Sequence, residues 1–168
     1  MLVSLEEAQE FIGVQEDFTK AIKRASKQVE KLIGRSVIEK TFTEKHEGGV
    51  RNLFLKNYPF QEDSLTIVDE DGQEVTSKYY AFEDEGRITG HFAFPNCKIT
   101  YTAGIAPDME NVPEDIKKAV LLLVAEERNN GHDPSKTNES SGDYAKGRNP
   151  QFVMNEVHEL LSLYKVVM

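Results

Sequence analysis

The sequence predicts an α+β fold, a mainly helical core of about four helices with a small antiparallel β unit inserted between the second and third. Three observations predict it. Apolar residues recur at helical spacing towards both ends of the chain, and short apolar runs broken by Gly, Pro and Asp fill residues 36–104. The stretch Ala119–Ala125 is apolar on every side, as a buried helix would be.

Ser4 followed by Glu7 is a capping-box pattern opening a short helix, with Leu5, Ala8, Phe11 and Ile12 inward and Gly13 at its end. A second helix runs from about Glu16 to Ile33. Its stripe is Phe18, Ala21, Ile22, Ala25, Val29, Leu32 and Ile33, and Gly34 stands where a left-handed cap would end it. Residues 1–35 thus form a helical pair, and 36–104 form the β insertion. Asp71-Gly72, between Thr66–Asp69 and Glu74–Thr76, is a two-residue hairpin signal. Pro113, Glu114 and Asp115 suit the first turn of a third, central helix, assigned to 105–128 with the turn that precedes it. Residues 129–150 are polar and turn-rich, the composition of a flexible loop. Residues 151–168 form an amphipathic C-terminal helix with the apolar tail Val166-Val167-Met168. At 168 residues the chain is expected to be one domain, 1–168.

Charge is unevenly spread. The face of the second helix opposite its apolar stripe carries Lys20, Lys23, Arg24, Lys27 and Lys31. Residues 18–35 hold six basic side chains and one acidic, whereas the rest of the chain holds 14 basic and 28 acidic. Such a strip is either a solvated helix face or a surface that meets acidic groups on a neighbouring subunit or partner. The net charge of −9 argues against a broad basic surface that clings to duplex DNA. The single Cys97 excludes an intrachain disulfide and suits a reducing cytoplasm. The longest apolar run is too short to span a membrane, and MLVSLEEAQE lacks the basic and apolar regions of a signal peptide. A soluble protein made in the cytoplasm is expected.

No side chain nominates itself for catalysis, cofactor binding or metal binding. His46, His91, His132 and His158 are scattered, and one Cys cannot build a structural zinc site. Residues 142–147 have the glycine spacing of a phosphate loop, but Arg148 and Asn149 stand where Lys and Ser/Thr are required. Asp69, Glu70 and Asp71, like Glu83, Asp84 and Glu85, have the pattern of acidic turns and not that of a calcium loop. Cys97 has the setting of an inert strand cysteine. A small metal-dependent hydrolase stays open only because two carboxylates can meet in space without a sequence signature.

Four stretches stand in a definite order: SLEEAQEFIGV, KLIGR, ITYTAG and VPEDIKKAVLLLVAEE, together framing residues 4–128. On these the chain resembles the head–tail connector (adaptor, or head-completion) proteins of tailed bacteriophages. The resemblance implies a non-enzymatic virion protein without cofactors, made in the host bacterial cytoplasm. It would assemble as a homo-oligomeric ring, commonly of twelve subunits, in the neck beneath the portal protein. The ring would extend the DNA channel, let DNA pass without sequence-specific binding, and offer a docking surface to the stopper or tail-completion protein. In the family a C-terminal segment engages the portal, which implies Val157, Leu160, Leu161 and Tyr164 as docking residues. The same stripe could equally pack on the protein's own core. The basic strip would then face a neighbour or the portal, leaving the channel lining acidic or neutral. A tail-completion or stopper protein, one layer lower in the neck, is the alternative within the same class. The β unit and the loop at 129–150 depart from shorter family members.

Overall fold

Ser4 and Glu7 close the capping box that their spacing predicts. The Ser4 hydroxyl accepts from the Glu7 amide at 3.1 Å, and the Glu7 carboxylate accepts from the Ser4 amide at 2.6 Å. Helix α1 (Leu5–Ile12) runs from this cap to Gly13, whose φ of 79° is the left-handed value that glycine adopts freely. Helix α2 (Thr19–Ile33) ends the same way at Gly34, φ 86°. It buries Ile22, Ala25, Val29 and Ile33, together with Ser26, whose hydroxyl accepts from the Leu2 amide at 3.1 Å. The structure, a computed structural model, describes residues 1–91, 93–130 and 150–165. The expected loop at 129–150, the glycine-spaced stretch at 142–147 and the apolar tail at 166–168 therefore lie almost wholly outside the described residues.

Two compact units emerge, one of Met1–Gly34 with Pro113–Met168, the other of Arg35–Val112. In the first, α1 and α2 pack on α3 (Glu114–Asn130), and so does α4 (Pro150–Leu160). Helix α3 buries Ile116, Ala119, Val120, Leu122, Leu123 and Val124, more of its circumference than an amphipathic surface helix would. The Pro113 carbonyl accepts from the amides of Ile116 and Lys117, both at 3.0 Å, so the helix begins at the proline that the sequence places there.

The second unit holds six strands: β1 (Lys40–His46), β2 (Asn52–Phe54), β3 (Thr66–Asp69), β4 (Tyr79–Phe82), β5 (Arg87–Gly90) and β6 (Cys97–Ala103). They form two three-stranded antiparallel sheets, β1-β6-β3 and β2-β5-β4. Strand β6 sits at the centre of the first sheet and alternates cleanly, with Cys97, Ile99, Tyr101 and Ala103 inward. The Asp71-Gly72 turn is present, Gly72 at φ 79° donating to the Asp69 carbonyl at 3.1 Å. Its second arm is a single bridge, Val68 to Glu74, and not a full strand. Gly104 ends β6 where no side chain fits. A Cβ there would lie 2.6 Å from Glu39 Cα and 2.7 Å from the Ile38 carbonyl carbon.

The expected fold class is corrected on this point. Four helices are present, but the strands do not form one small insertion in a mainly helical core. They build two sheets around a core of their own that includes Leu53, Phe60, Ile67, Ile88, Phe94 and Tyr101. The physical reason is that pairing is non-local. Strand β6 lies between β1 and β3, and β5 between β2 and β4, so of the four pairings only β4 with β5 joins strands consecutive in sequence. Strands of three or four residues are also too short for alternation to show how many sheets they make.

Candidate interaction surfaces

The basic face of α2 is fully presented. Lys20, Lys23, Arg24, Lys27 and Lys31 are all exposed. Arg24 pairs with Glu127 on α3, and no salt bridge joins the four lysines to another described residue. Arg35, the sixth basic residue of the segment, does other work. Its guanidinium donates to the Tyr58 carbonyl at 2.7 Å and lies 4.3 Å from the centroid of the Tyr58 ring, locking the start of the β unit.

The C-terminal stripe divides. Val157 and Leu161 are fully buried beside Val153, whereas Leu160 and Tyr164 are half-buried. The apolar groups that face water here are Phe152, 57% exposed, and Leu163, 84% exposed. Leu160 and Leu163 line a shallow cleft of about 320 Å³ with Asp115, Lys118, Glu156 and Glu159. Lys118 and Glu156 bridge α3 to α4 at 3.1 Å.

A third surface lies on the β2-β5-β4 sheet, and sequence reasoning did not single it out. Its inner side carries Leu53, Ile88 and Ala81, which face one another across the register and pack into the core. Its outer side carries the row Phe54–Arg87–Phe82 and, two residues along, the row Asn52–Thr89–Tyr80. Phe54 is 64% exposed, Tyr80 58% and Phe82 39%. Arg87 lies 3.9 Å from the centroid of the Phe82 ring while its Nε donates to Glu85 at 2.8 Å. Tyr80 meets the His91 ring edge-on at 5.6 Å. A one-turn 3-10 helix, Glu83–Glu85, joins β4 to β5 and makes that end of the face acidic. Desolvation, then the neighbouring carboxylates of Glu62, Asp84 and Asp63, push the Glu83 carboxyl above its usual range. The available signal was Tyr79-Tyr80-Ala81-Phe82, apolar at every position where a half-exposed strand should alternate.

Two buried polar atoms of the β unit, Glu44 Oε2 and His46 Nε2, lack a hydrogen-bond partner among the described residues, while the groups around them are tied into local bonds. The Tyr101 hydroxyl donates to the Glu44 carboxylate and accepts from the Asn57 amide at 3.3 Å, and the Lys56 amide donates to Glu44 at 3.1 Å. Burial, then the bond to Glu44, pushes the Tyr101 phenol far above its ordinary value. His46 Nε2 stands 3.3 Å from the other Glu44 oxygen. Cys97 is buried, and burial pushes its thiol up, away from the reactive thiolate. Asp69 accepts from the amides of Asp71 and Gln73 at 3.1 and 2.8 Å, so that acidic run shapes its own turn. Among the described residues, no group of three or more His, Cys, Asp or Glu side chains could hold a metal ion, and no helix is long and apolar enough to cross a membrane.

The family described as "Head completion protein" is matched over residues 1–167. No curated protein matches the sequence. Among solved structures, the fold is similar to a chain in the virion of a native gene transfer agent particle. The TM-score is 0.68 at 18% identity, over 99% of this chain and 91% of that one. A chain in the neck of an empty gene transfer agent particle computed with C6 symmetry gives 0.67 at 18% identity, over 99% and 91%. One in the neck of the native particle computed with C12 symmetry gives 0.66 at 17%, over 98% and 88%. At these identities the likeness is one of fold.

Proposed function

We propose, from the premise that this chain belongs to the head completion protein family, that it is a non-enzymatic structural protein of the neck of a tailed-phage-like particle. In the finer reading it forms an adaptor ring beneath the portal, prolongs the DNA channel and receives the stopper or tail-completion protein. The observation that carries the role is the family match across residues 1–167, joined to a fold shared over nearly the whole chain with proteins of gene transfer agent virions and necks. The six- and twelve-fold symmetries with which those necks were computed support a ring. The net charge of −9 supports a channel wall that DNA slides past.

The C-terminal helix is the proposed portal contact, with its outward side doing the docking. Val157 and Leu161 are committed to the core, so Leu160 and Tyr164 at the edge, with the exposed Leu163, are the groups a portal would touch.

Deletion of the gene tests the role. Heads should fill with DNA but fail to join tails, and the full-length protein supplied in trans should restore joining. Normal yields of tailed, infectious particles from the deletion would remove the neck assignment. Crosslinking in wild-type particles then separates the layers. Links to the portal protein support the adaptor position, whereas links confined to tail components support a stopper or tail-completion position.

A further inference from the structure

The outer face of the β2-β5-β4 sheet is built like the centre of an interface. It sets Phe54, Phe82 and Tyr80 around Arg87, with no lysine in either row. Aromatic and Arg side chains enriched over Lys and Glu mark the buried core of a protein contact. A sheet face that stayed in water would carry polar residues at these positions. The end of this face is acidic, through Glu83, Asp84 and Glu85 on the turn and Glu62 and Asp63 beside it, and Arg87 within the face is already held by Glu85.

We infer that this face binds the basic face of α2 from a second copy of the same chain, aromatic rows under the lysine stems and acidic turn against the lysine heads. Two observations select that occupant. Lys20, Lys23, Lys27 and Lys31 are exposed and lack salt bridges to described residues, while the chain outside residues 18–35 has twice as many acidic as basic groups. Each surface therefore needs what the other supplies. Lysine stems also cover aromatic rings well while their ammonium groups reach outward. The dimensions agree. The stripe from Lys20 to Lys31 spans about 16 Å at the helical rise, and three strands of up to four residues span roughly 10 by 13 Å. The sheet face thus provides the centre of a contact, and the acidic turn its rim.

The two surfaces differ, so the contact is heterologous. A heterologous contact propagates head to tail and closes into a ring when its rotation allows. The inference rests on the ring reading above and names the surfaces that would build the ring.

Cysteine pairing tests it on the full-length protein. One preparation carries Lys27→Cys and another Asp84→Cys, the native Cys97 being buried. Mixed and oxidised, they should give a disulfide-linked pair at least tenfold more abundant than either variant alone, and Phe82→Ser added to the second preparation should abolish it. Phe54→Ser with Phe82→Ser should weaken self-association at least tenfold by light scattering. Both positions face water, so the fold should be retained, as circular dichroism would confirm. Charge reversal at Lys23 and Lys27 should weaken association too, and reversal of Glu83 and Asp84 in the partner should restore it. Oligomers that form without this crosslink, or that tolerate the Phe54 and Phe82 changes, would overturn the assignment of surfaces and leave the ring intact. A chain that stays monomeric both alone and in isolated necks would overturn the ring as well.

Discussion

Glu7 ties the first helix to the third through two kinds of contact. Its carboxylate caps Ser4 and also lies 3.3 Å from the Lys117 ammonium. Partial desolvation raises its pKa, but the bonds from Ser4 and then Lys117 outweigh that, leaving it below the ordinary 4.5. A carboxyl depressed in the folded state stabilises the protein above its unfolded value, and the contribution fades as pH falls through the folded one. Thermal melts between pH 6 and pH 3 should therefore decline less for Glu7→Gln than for wild type, the two converging at the acid end. Ser4→Ala, which removes the cap's hydroxyl, should cost about 1 kcal/mol at neutral pH by chemical denaturation. In the β unit the sensitive residue is Gly104. Its missing Cβ leaves room for the backbone of Ile38 and Glu39, so Gly104→Ala should destabilise by roughly 1–3 kcal/mol, read by urea unfolding. A Gly13→Ala control meets no neighbour within 4 Å and tests backbone conformation alone.

Among elements, the helices were the legible ones. Capping box, glycine stops and apolar stripe are local signals, and Ser4, Gly13, Gly34 and Pro113 do in the structure what their sequence positions imply, whereas Phe11, expected inward, is 46% exposed. The sheets were not legible, because which strand lies beside which depends on contacts such as Thr66 to Thr100 and Asn52 to Thr89 that no local window contains. The aromatic outer face of β2-β5-β4 was hidden for the same reason. Phe82 lies one turn from Arg87 in sequence, but Phe54 becomes its neighbour only once the β2–β5 register is known. The C-terminal helix shows the opposite difficulty, since a stripe names a face without naming what covers it. Val157→Ala should lower stability by about 2 kcal/mol. Leu163→Ala should change it by less than about 0.5 kcal/mol while weakening portal binding, measured by co-sedimentation with purified portal. Equal portal binding by Leu163→Ala and wild type would remove the helix's outward side from the docking surface.

For the whole molecule, charge segregation matters more than its sum. Two copies at −9 repel at long range, yet residues 18–35 present a positive surface within an otherwise acidic chain. Physiological salt already screens interactions beyond about 8 Å, so the long-range repulsion is weakened first. Contact between lysines and the Glu83–Glu85 turn should then dominate, and self-association should fall steadily from about 0.15 M salt upward, as sedimentation velocity would show. A rise with salt would instead mean that repulsion governs and that the contact is chiefly apolar.

The helical unit is also interrupted along the chain, with the whole of Arg35–Val112 made between α2 and α3. During synthesis the inward stripe of α2, with Ile22, Ala25 and Val29, leaves the ribosome long before Ile116 and Val120 exist to meet it. The β unit, contiguous and with its own core, can be complete by then. The N-terminal helices thus wait longest for their partners although they are made first. A nascent chain stalled once Val112 has cleared the ribosome should hold protected sheet amides beside a sticky, protease-sensitive N-terminus, which marks that segment as the one a chaperone would hold until translation ends.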